Sequence, residues 1–286
     1  MAREKFGSRF GVLMAMVGSA VGLGNMWRFP YLVSEHGGAA FVFVYVISVL
    51  FICLPIFFSE FIIGRRSQSN AFRAFEVLAP GTGWKWVGFA AITAPVVILS
   101  YYCVVGGWSI QYFFKSCTFG FTELVTQEYL DTMFAGFISS TWAPILGHTF
   151  FLALTAVIVL GGIKSGIERF GKVMMPLLYL VVVVIAVWTA TLPGASEGLA
   201  FLFKPDFSAI TPSVCAAALG QAFFSLSLGY GTMLTYASYV SKEENIASSS
   251  VQIALSDLVF SLIASCAIMP AVFAFSLNTQ GGPGPV

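Results

Sequence analysis

Charge is what this chain has least of. Only 9% of its 286 residues are charged, against 58% hydrophobic, and mean hydropathy is +0.87. A soluble domain carries about 25% charged residues, so the composition excludes a soluble fold and requires an integral membrane protein with many spans. The net charge of +1 offers no basic surface for a nucleic acid. The five cysteines, Cys53, Cys103, Cys117, Cys215 and Cys266, form no CxxC or CxxH spacing. Small buried hydrophobes are therefore expected, and a metal centre or redox pair is not. His36 and His148 have no partner at ligand spacing. A nucleophile–base pair and a glycine-rich phosphate loop are also missing, so no enzyme is expected. The first apolar run is too long for the core of a signal peptide and ends in no small-residue cleavage site, so no cleaved leader is expected.

What the chain does have is seven apolar runs, near 10–33, 38–63, 87–115, 145–162, 171–192, 213–240 and 246–276. With the N-terminus in the cytoplasm, eleven of the fourteen basic residues fall inside. They are Arg3, Lys5, Arg9, Arg65, Arg66, Arg73, Lys85, Lys164, Arg169, Lys172 and Lys242, whereas Arg28, Lys115 and Lys204 lie near or beyond the outer face. That asymmetry sets the expected orientation in a cell membrane. The tail from Gln280 to Val286 carries no charge and no closing element, so the chain is expected to stop inside a loop of a longer protein.

Two of the runs carry helix-breaking strings in mid-membrane. The first contains Gly18-Ser19-Ala20-Val21-Gly22-Leu23-Gly24-Asn25, and the sixth contains Gly220-Gln221-Ala222-Phe223-Phe224-Ser225-Leu226-Ser227-Leu228-Gly229-Tyr230-Gly231, with its Gly-x-Gly pair at 229–231. Broken backbone at membrane depth survives only where it lines a cavity, and such helices form the substrate and ion sites of secondary transporters. Breaks five helices apart imply two repeats, the second upside down, so that the breaks meet near the midplane. The whole chain, 1–286, reads as a single transmembrane domain. Residues 10–192 form a first five-helix repeat, and 213–276 form the first two helices of an incomplete second one. The plainer alternative is a pair of glycine packing patches.

Charges inside the spans sharpen the choice, because a carboxylate there costs about 3 kcal/mol or more. Glu60 either pairs with Arg65 and Arg66 or accepts hydrogen bonds from unwound backbone in a neighbouring helix. Asp257 has no base nearby in sequence and reads either as a pore-facing polar residue or as a cation ligand. Burial disfavours its charge and a bound cation favours it, so the ion is expected to control whether Asp257 is charged. Arg28 either snorkels to the outer interface or forms one side of an outer gate.

The string Ala20-Val-Gly-Leu-Gly-Asn-Met-Trp-Arg-Phe-Pro30 resembles the neurotransmitter:sodium symporter family, particularly its bacterial amino-acid transporters. So do His36-Gly-Gly-Ala-Ala-Phe41, Tyr101-Tyr102, Lys164-Ser-Gly-Ile-Glu-Arg169 and Phe203-Lys-Pro-Asp-Phe207, and above all Gly220 to Gly231 and Thr235-Tyr-Ala-Ser-Tyr239. These motifs run in order along nearly the whole chain. The resemblance implies an all-α inverted-repeat transporter fold with broken helices one and six, of which this chain carries the first seven transmembrane helices.

It also implies roles. A first sodium site would use Ala20, Asn25, Ser225 and Asp257, and a second would use Gly18 and Val21 with ligands beyond residue 286. Chloride-dependent relatives place the anion near positions matching Tyr45, Gln221, Ser225 and Ser261. Asp257 would supply that negative charge here, so chloride is not expected to be required. An amino-acid carboxylate would meet Leu23, Gly24 and Tyr102, and its amino group Ala20, Phe224, Ser225 and Ser227. Ile98, Tyr102, Phe224 and Tyr230 would line a side-chain pocket suited to a hydrophobic or aromatic residue. Arg28 would cap the outer gate, and Arg3, Ser238 and Tyr239 would belong to an inner one. The expected activity is sodium-coupled symport of an amino acid by alternating access. The alternatives are a passive channel, which would not concentrate substrate, and a seven-helix ligand-sensing protein, which would bind without flux.

Overall fold

Helix boundaries follow capping residues and a proline placed where a helix can start. Ser8, Asn70, Thr211 and Asn245 each accept a hydrogen bond from a first-turn N–H through the side chain. Pro212 sits in the first turn after the extended Thr211, where the missing N–H costs nothing, whereas Pro30 and Pro55 follow π-turns inside longer helical stretches. The computed structural model describes residues 5–118 and 127–275. Its α-helices are α1 (Arg9–Ala20), α2 (Phe29–Glu35), α3 (Ala39–Ile47), α4 (Leu54–Ser67), α5 (Ala71–Leu78), α6 (Lys85–Cys117) and α7 (Gln127–Ser139). Then come α8 (Trp142–Leu160), α9 (Arg169–Thr189), α10 (Ala195–Phe203), α11 (Pro212–Ser225), α12 (Thr232–Ala237) and α13 (Ile246–Ala274). Wide π-turns at Ser48–Cys53 and Gly162–Glu168 join α3 to α4 and lead into α9.

Five unbroken helical stretches are long and apolar enough to cross a bilayer: Ala39–Ser67, Lys85–Cys117, Trp142–Leu160, Gly162–Thr189 and Ile246–Ala274. They correspond to the second to fifth and the seventh apolar runs. The first run is a bent pair, Arg9–Ala20 and Gly24–Glu35, kinked by 52°. The sixth is divided into α11 and α12. The short helices α5, α7 and α10 lie between spans, where hydropathy carries no signal for them.

The described residues fall into two compact units, 5–92 with 168–275, and 93–118 with 127–167. In the first, Phe29, Phe41, Tyr45, Phe57, Phe61 and Phe260 are fully buried around the bent first helix. In the second, α8 has no buried residue and Leu160 is 85% exposed, as suits a helix whose solvent is lipid. Within that unit Gly107 approaches Gly147 so closely that a Cβ would sit 2.6 Å from the Gly147 carbonyl carbon. This is small-residue packing of the kind that joins membrane helices.

The N-terminal segment is strapped down before α1 begins. Glu168, only 2% exposed, accepts the Gly7 N–H at 2.7 Å and the Ser8 hydroxyl at 3.2 Å, and pairs with Lys172 at 2.5 Å. Phe6 stacks on Tyr236, and Arg9 pairs with Glu244 at 3.3 Å. Gly11 makes room for the strap, since any Cβ there would strike the Glu168 side chain. Gly11→Ala is therefore expected to lower stability by about 1–3 kcal/mol, seen as a fall in the melting midpoint in detergent. An unchanged midpoint would show that Glu168 does not occupy this position.

Candidate functional site

The first break is made by a side chain that takes a helix's own hydrogen bond. Val21 still donates to Val17 at 2.7 Å but is extended, with ψ 118°. The next N–H, of Gly22, goes to Asn25 Oδ1 at 3.0 Å, so the Gly18 carbonyl loses its usual i+4 partner. Gly24–Arg28 then form a π-turn before α2 resumes.

The second break starts at Leu226. Ser227 takes a left-handed conformation (φ 53°), followed by Gly229 (φ 80°) and Gly231 (φ 67°). For serine this costs on the order of 1 kcal/mol, and its hydroxyl makes a compensating bond to the Ser19 carbonyl at 3.1 Å. One break is thereby tied to the other. Gly231 is also required by packing, because a Cβ would overlap that of Ala71. Glu60 Oε1 accepts the Gly229 N–H at 2.7 Å, which decides between its two sequence readings in favour of unwound backbone. Arg65 instead donates to the Glu244 carbonyl at 2.5 Å.

Between the breaks lies a carboxylate. Asp257 is fully buried on α13, with Ser225 Oγ 2.9 and 2.7 Å from its two oxygens. Asn25 Nδ2 donates to it at 2.8 Å, and the Tyr45 hydroxyl lies 3.5 Å away. The same Asn25 nitrogen is 2.8 Å from both Ser225 Oγ and Ser261 Oγ, so two N–H groups face three acceptors. Neither ion pair among the described residues, Arg9–Glu244 or Lys172–Glu168, includes Asp257. A buried charge without an opposite charge is costly. The carboxylate and the hydroxyls of Ser225, Ser261 and Tyr45 around it are hard oxygens of the kind that suit an alkali cation, whereas the Asn25 amide faces it with its nitrogen. Asn25 turns its nitrogen toward Asp257 while its oxygen holds the Gly22 N–H, and that oxygen keeps a second lone pair.

The sequence-predicted residues fall as follows. Gly18, Ala20, Val21, Leu23, Gly24 and Asn25 flank the first break, and Phe224, Ser225, Ser227 and Tyr230 flank the second. The Phe224 ring packs on Gly24 and meets Tyr230 edge-on, with centroids 6.4 Å apart. Arg28 turns inward, donating to Gln221 Oε1 and lying 5.1 Å from the Phe224 ring centroid, while Gln221 Nε2 donates to the Gly24 carbonyl at 3.0 Å. Ser238 is buried and donates to the Thr235 carbonyl at 2.6 Å, and the Tyr239 carbonyl accepts the Phe6 N–H at 3.4 Å. Ile98 and Tyr102 lie on α6 within the second unit. Arg3 lies outside the described residues. Sequence reasoning missed Ser19, which acts through its carbonyl, and Glu168, whose partners are the Gly7 N–H, the Ser8 hydroxyl and Lys172.

A family model described as the sodium:neurotransmitter symporter family matches residues 3–132 and 138–283. The chain belongs to this family. It is 39% identical over 98% of its length to the sodium-dependent transporter YhdH of Bacillus subtilis, and covers 62% of that protein. It is 32% identical to the sodium-dependent neutral amino acid transporter B(0)AT3 of Mus musculus, over 98% of this chain and 49% of the relative. Among solved structures, MhsT in complex with L-phenylalanine matches with a TM-score of 0.93 and 46% identity, over 99% of this chain and 64% of that one. The chain thus spans about half to two thirds of the length of these relatives. The family member has the all-α, multi-pass inverted-repeat transporter fold with broken first and sixth helices, and belongs to a family of transporters, not enzymes.

Asp257→Ala is expected to weaken sodium binding by at least about tenfold, equivalent to ~1.4 kcal/mol, measured with radiolabelled sodium on the protein as its own gene encodes it. Unchanged affinity would remove Asp257 from any cation site.

Proposed function

We propose that the protein is a sodium-coupled symporter that carries a hydrophobic or aromatic amino acid into the cell by alternating access. The reading rests above all on Asp257, a buried carboxylate between two helix breaks with no cationic side chain paired to it among the described residues. A sodium ion arriving there would supply the missing positive charge, held by the Asp257 carboxylate, the Ser225 hydroxyl, the Asn25 amide and the Ala20 carbonyl. A second sodium ion would use the open carbonyls of Gly18 and Val21 together with groups beyond this chain.

The amino acid fits the same logic. Its carboxylate would sit at the N–H groups of Leu23 and Gly24, where a restarting helix offers partial positive charge. The carboxylate could complete the first sodium shell, so that ion and substrate favour each other's binding. Its amino group would find the carbonyls of Ala20, Phe224 and Ser225 and the Ser227 hydroxyl. Phe224 and Tyr230 offer an apolar surface for its side chain, below Arg28. Each sodium ion entering down 100 mV releases about 2.3 kcal/mol, enough in principle to concentrate substrate. Arg3, Ser238 and Tyr239 would close the inner side, with the N-terminus in the cytoplasm and the protein in the cell membrane. Because Asp257 supplies negative charge at the anion position, chloride is not required.

Uptake of labelled phenylalanine, leucine and tryptophan into proteoliposomes tests this directly. Accumulation above the outside concentration is expected with an inward sodium gradient, and none with choline. Replacing chloride by gluconate should change the rate less than about twofold, well under the ~1.4 kcal/mol that a tenfold effect represents. Equilibration without accumulation would instead indicate a channel, and binding without flux a sensor.

A further inference from the structure

One face of α9 is buried at Gly171, Met175, Val182 and Thr189 and half-buried at Tyr179 and Ala186, the spacing of a single helix stripe. Its lower part packs on α1. Gly171 lies against the Met14 carbonyl, and the Met175 thioether is so close to Gly18 that a Cβ there would sit 3.2 Å from the sulfur. Its upper part grips α13 through two hydroxyls. Tyr179 donates to the Ser256 carbonyl at 2.8 Å, and Thr189 donates to the Cys266 carbonyl at 3.3 Å.

The two clamps are ten residues apart on α9 and ten residues apart on α13. The helices therefore run parallel and in matched register over about 15 Å, and a slide of one past the other breaks both bonds together. The two clamps differ in what they hold. Thr189 also bonds its own helix, at the Ala186 carbonyl, and grips a turn more than two turns beyond Asp257. Tyr179 grips the peptide that leads directly into Asp257, and its ring meets Phe260, one turn on, edge-on at 4.9 Å. An adjacent face of that same turn presents the Asp257 carboxylate to Ser225 and Asn25, and the Ser261 hydroxyl to Asn25. One face of α9 thus touches Gly18 and, four residues later, the backbone that aims Asp257.

We propose that Tyr179 is a positioning residue for sodium coupling. It ties the peptide preceding Asp257 to the α9 face that packs on Gly18, and so holds the carboxylate in the aim a cation needs. The inference rests on the sodium-site reading of Asp257 given above. Rotation or translation of α9 acts on both ends of this link. Movement at Gly18 is then felt at Asp257 without any contact between the two residues.

Tyr179→Phe removes the hydroxyl and keeps the ring on Phe260. In membranes holding the protein as its own gene encodes it, this variant is expected to raise the sodium half-saturation about three- to tenfold, the effect of losing one interhelical hydrogen bond. Amino-acid half-saturation at saturating sodium should stay within about twofold of the parent, less than one such bond would cause. Thr189→Val removes the other clamp and is expected to leave the sodium half-saturation unchanged. An unaltered sodium half-saturation in Tyr179→Phe overturns the proposal. So does an equal shift in both variants accompanied by equal falls in melting midpoint, which would make the contact general packing. Asp257→Ala measured alongside separates the two layers. If it abolishes sodium dependence while Tyr179→Phe does nothing, only the positioning role is lost. If it leaves sodium dependence intact, the site reading fails and takes the proposal with it.

Discussion

The structure depends on one buried negative charge. Asp257 has no ionic partner among the described residues, yet the Ser225 hydroxyl and the Asn25 amide both reach it, each from the edge of a different helix break. In a medium of low dielectric such an arrangement is strong when satisfied and expensive when not. It also explains why the first helix breaks where it does. The Asn25 side chain takes the Gly22 N–H with its oxygen while its nitrogen faces the carboxylate, so the local unwinding and the long-range contact share a single amide. A cation that displaces that nitrogen acts on the backbone of the first helix and on α13 together.

Around this centre the unwound segments are secured by hydrogen bonds that lipid could not provide. Ser227 reaches the Ser19 carbonyl, Glu60 takes the Gly229 N–H, and Gln221 joins Arg28 to the Gly24 carbonyl. Below, Glu168 holds the backbone just ahead of α1. The first helix is therefore held at its lower end, at its break and above the break by three different neighbours. Such bonds can be exchanged singly, each without breaking the others.

Much of this was legible in the sequence. The spans follow from hydropathy, and both breaks follow from glycine clusters where a membrane helix has no reason to be weak. Asp257 was conspicuous because a carboxylate in an apolar run needs a purpose. Other parts were not legible, for identifiable reasons. The second break begins at Leu226 and Ser227, ahead of the glycines, because a tertiary bond to Ser19 compensates a strained serine. The choice for Glu60 between Arg65 and unwound backbone depended on which loop α4 faces, which spacing alone does not encode. Tyr179 looks like one more apolar residue of a lipid-facing helix until its hydroxyl is seen on the Ser256 carbonyl. The loop helices α5, α7 and α10 lacked the length and hydropathy by which spans are recognised.

The most direct test of the central claim is amide hydrogen exchange in the two breaks, residues 19–25 and 225–231, with sodium or with choline. If a cation bound at Asp257 closes both breaks together, sodium slows exchange in both segments with the same midpoint concentration, and Asp257→Ala abolishes both effects. Protection of one segment without the other, or protection that persists in Asp257→Ala, would contradict a shared site built on that carboxylate.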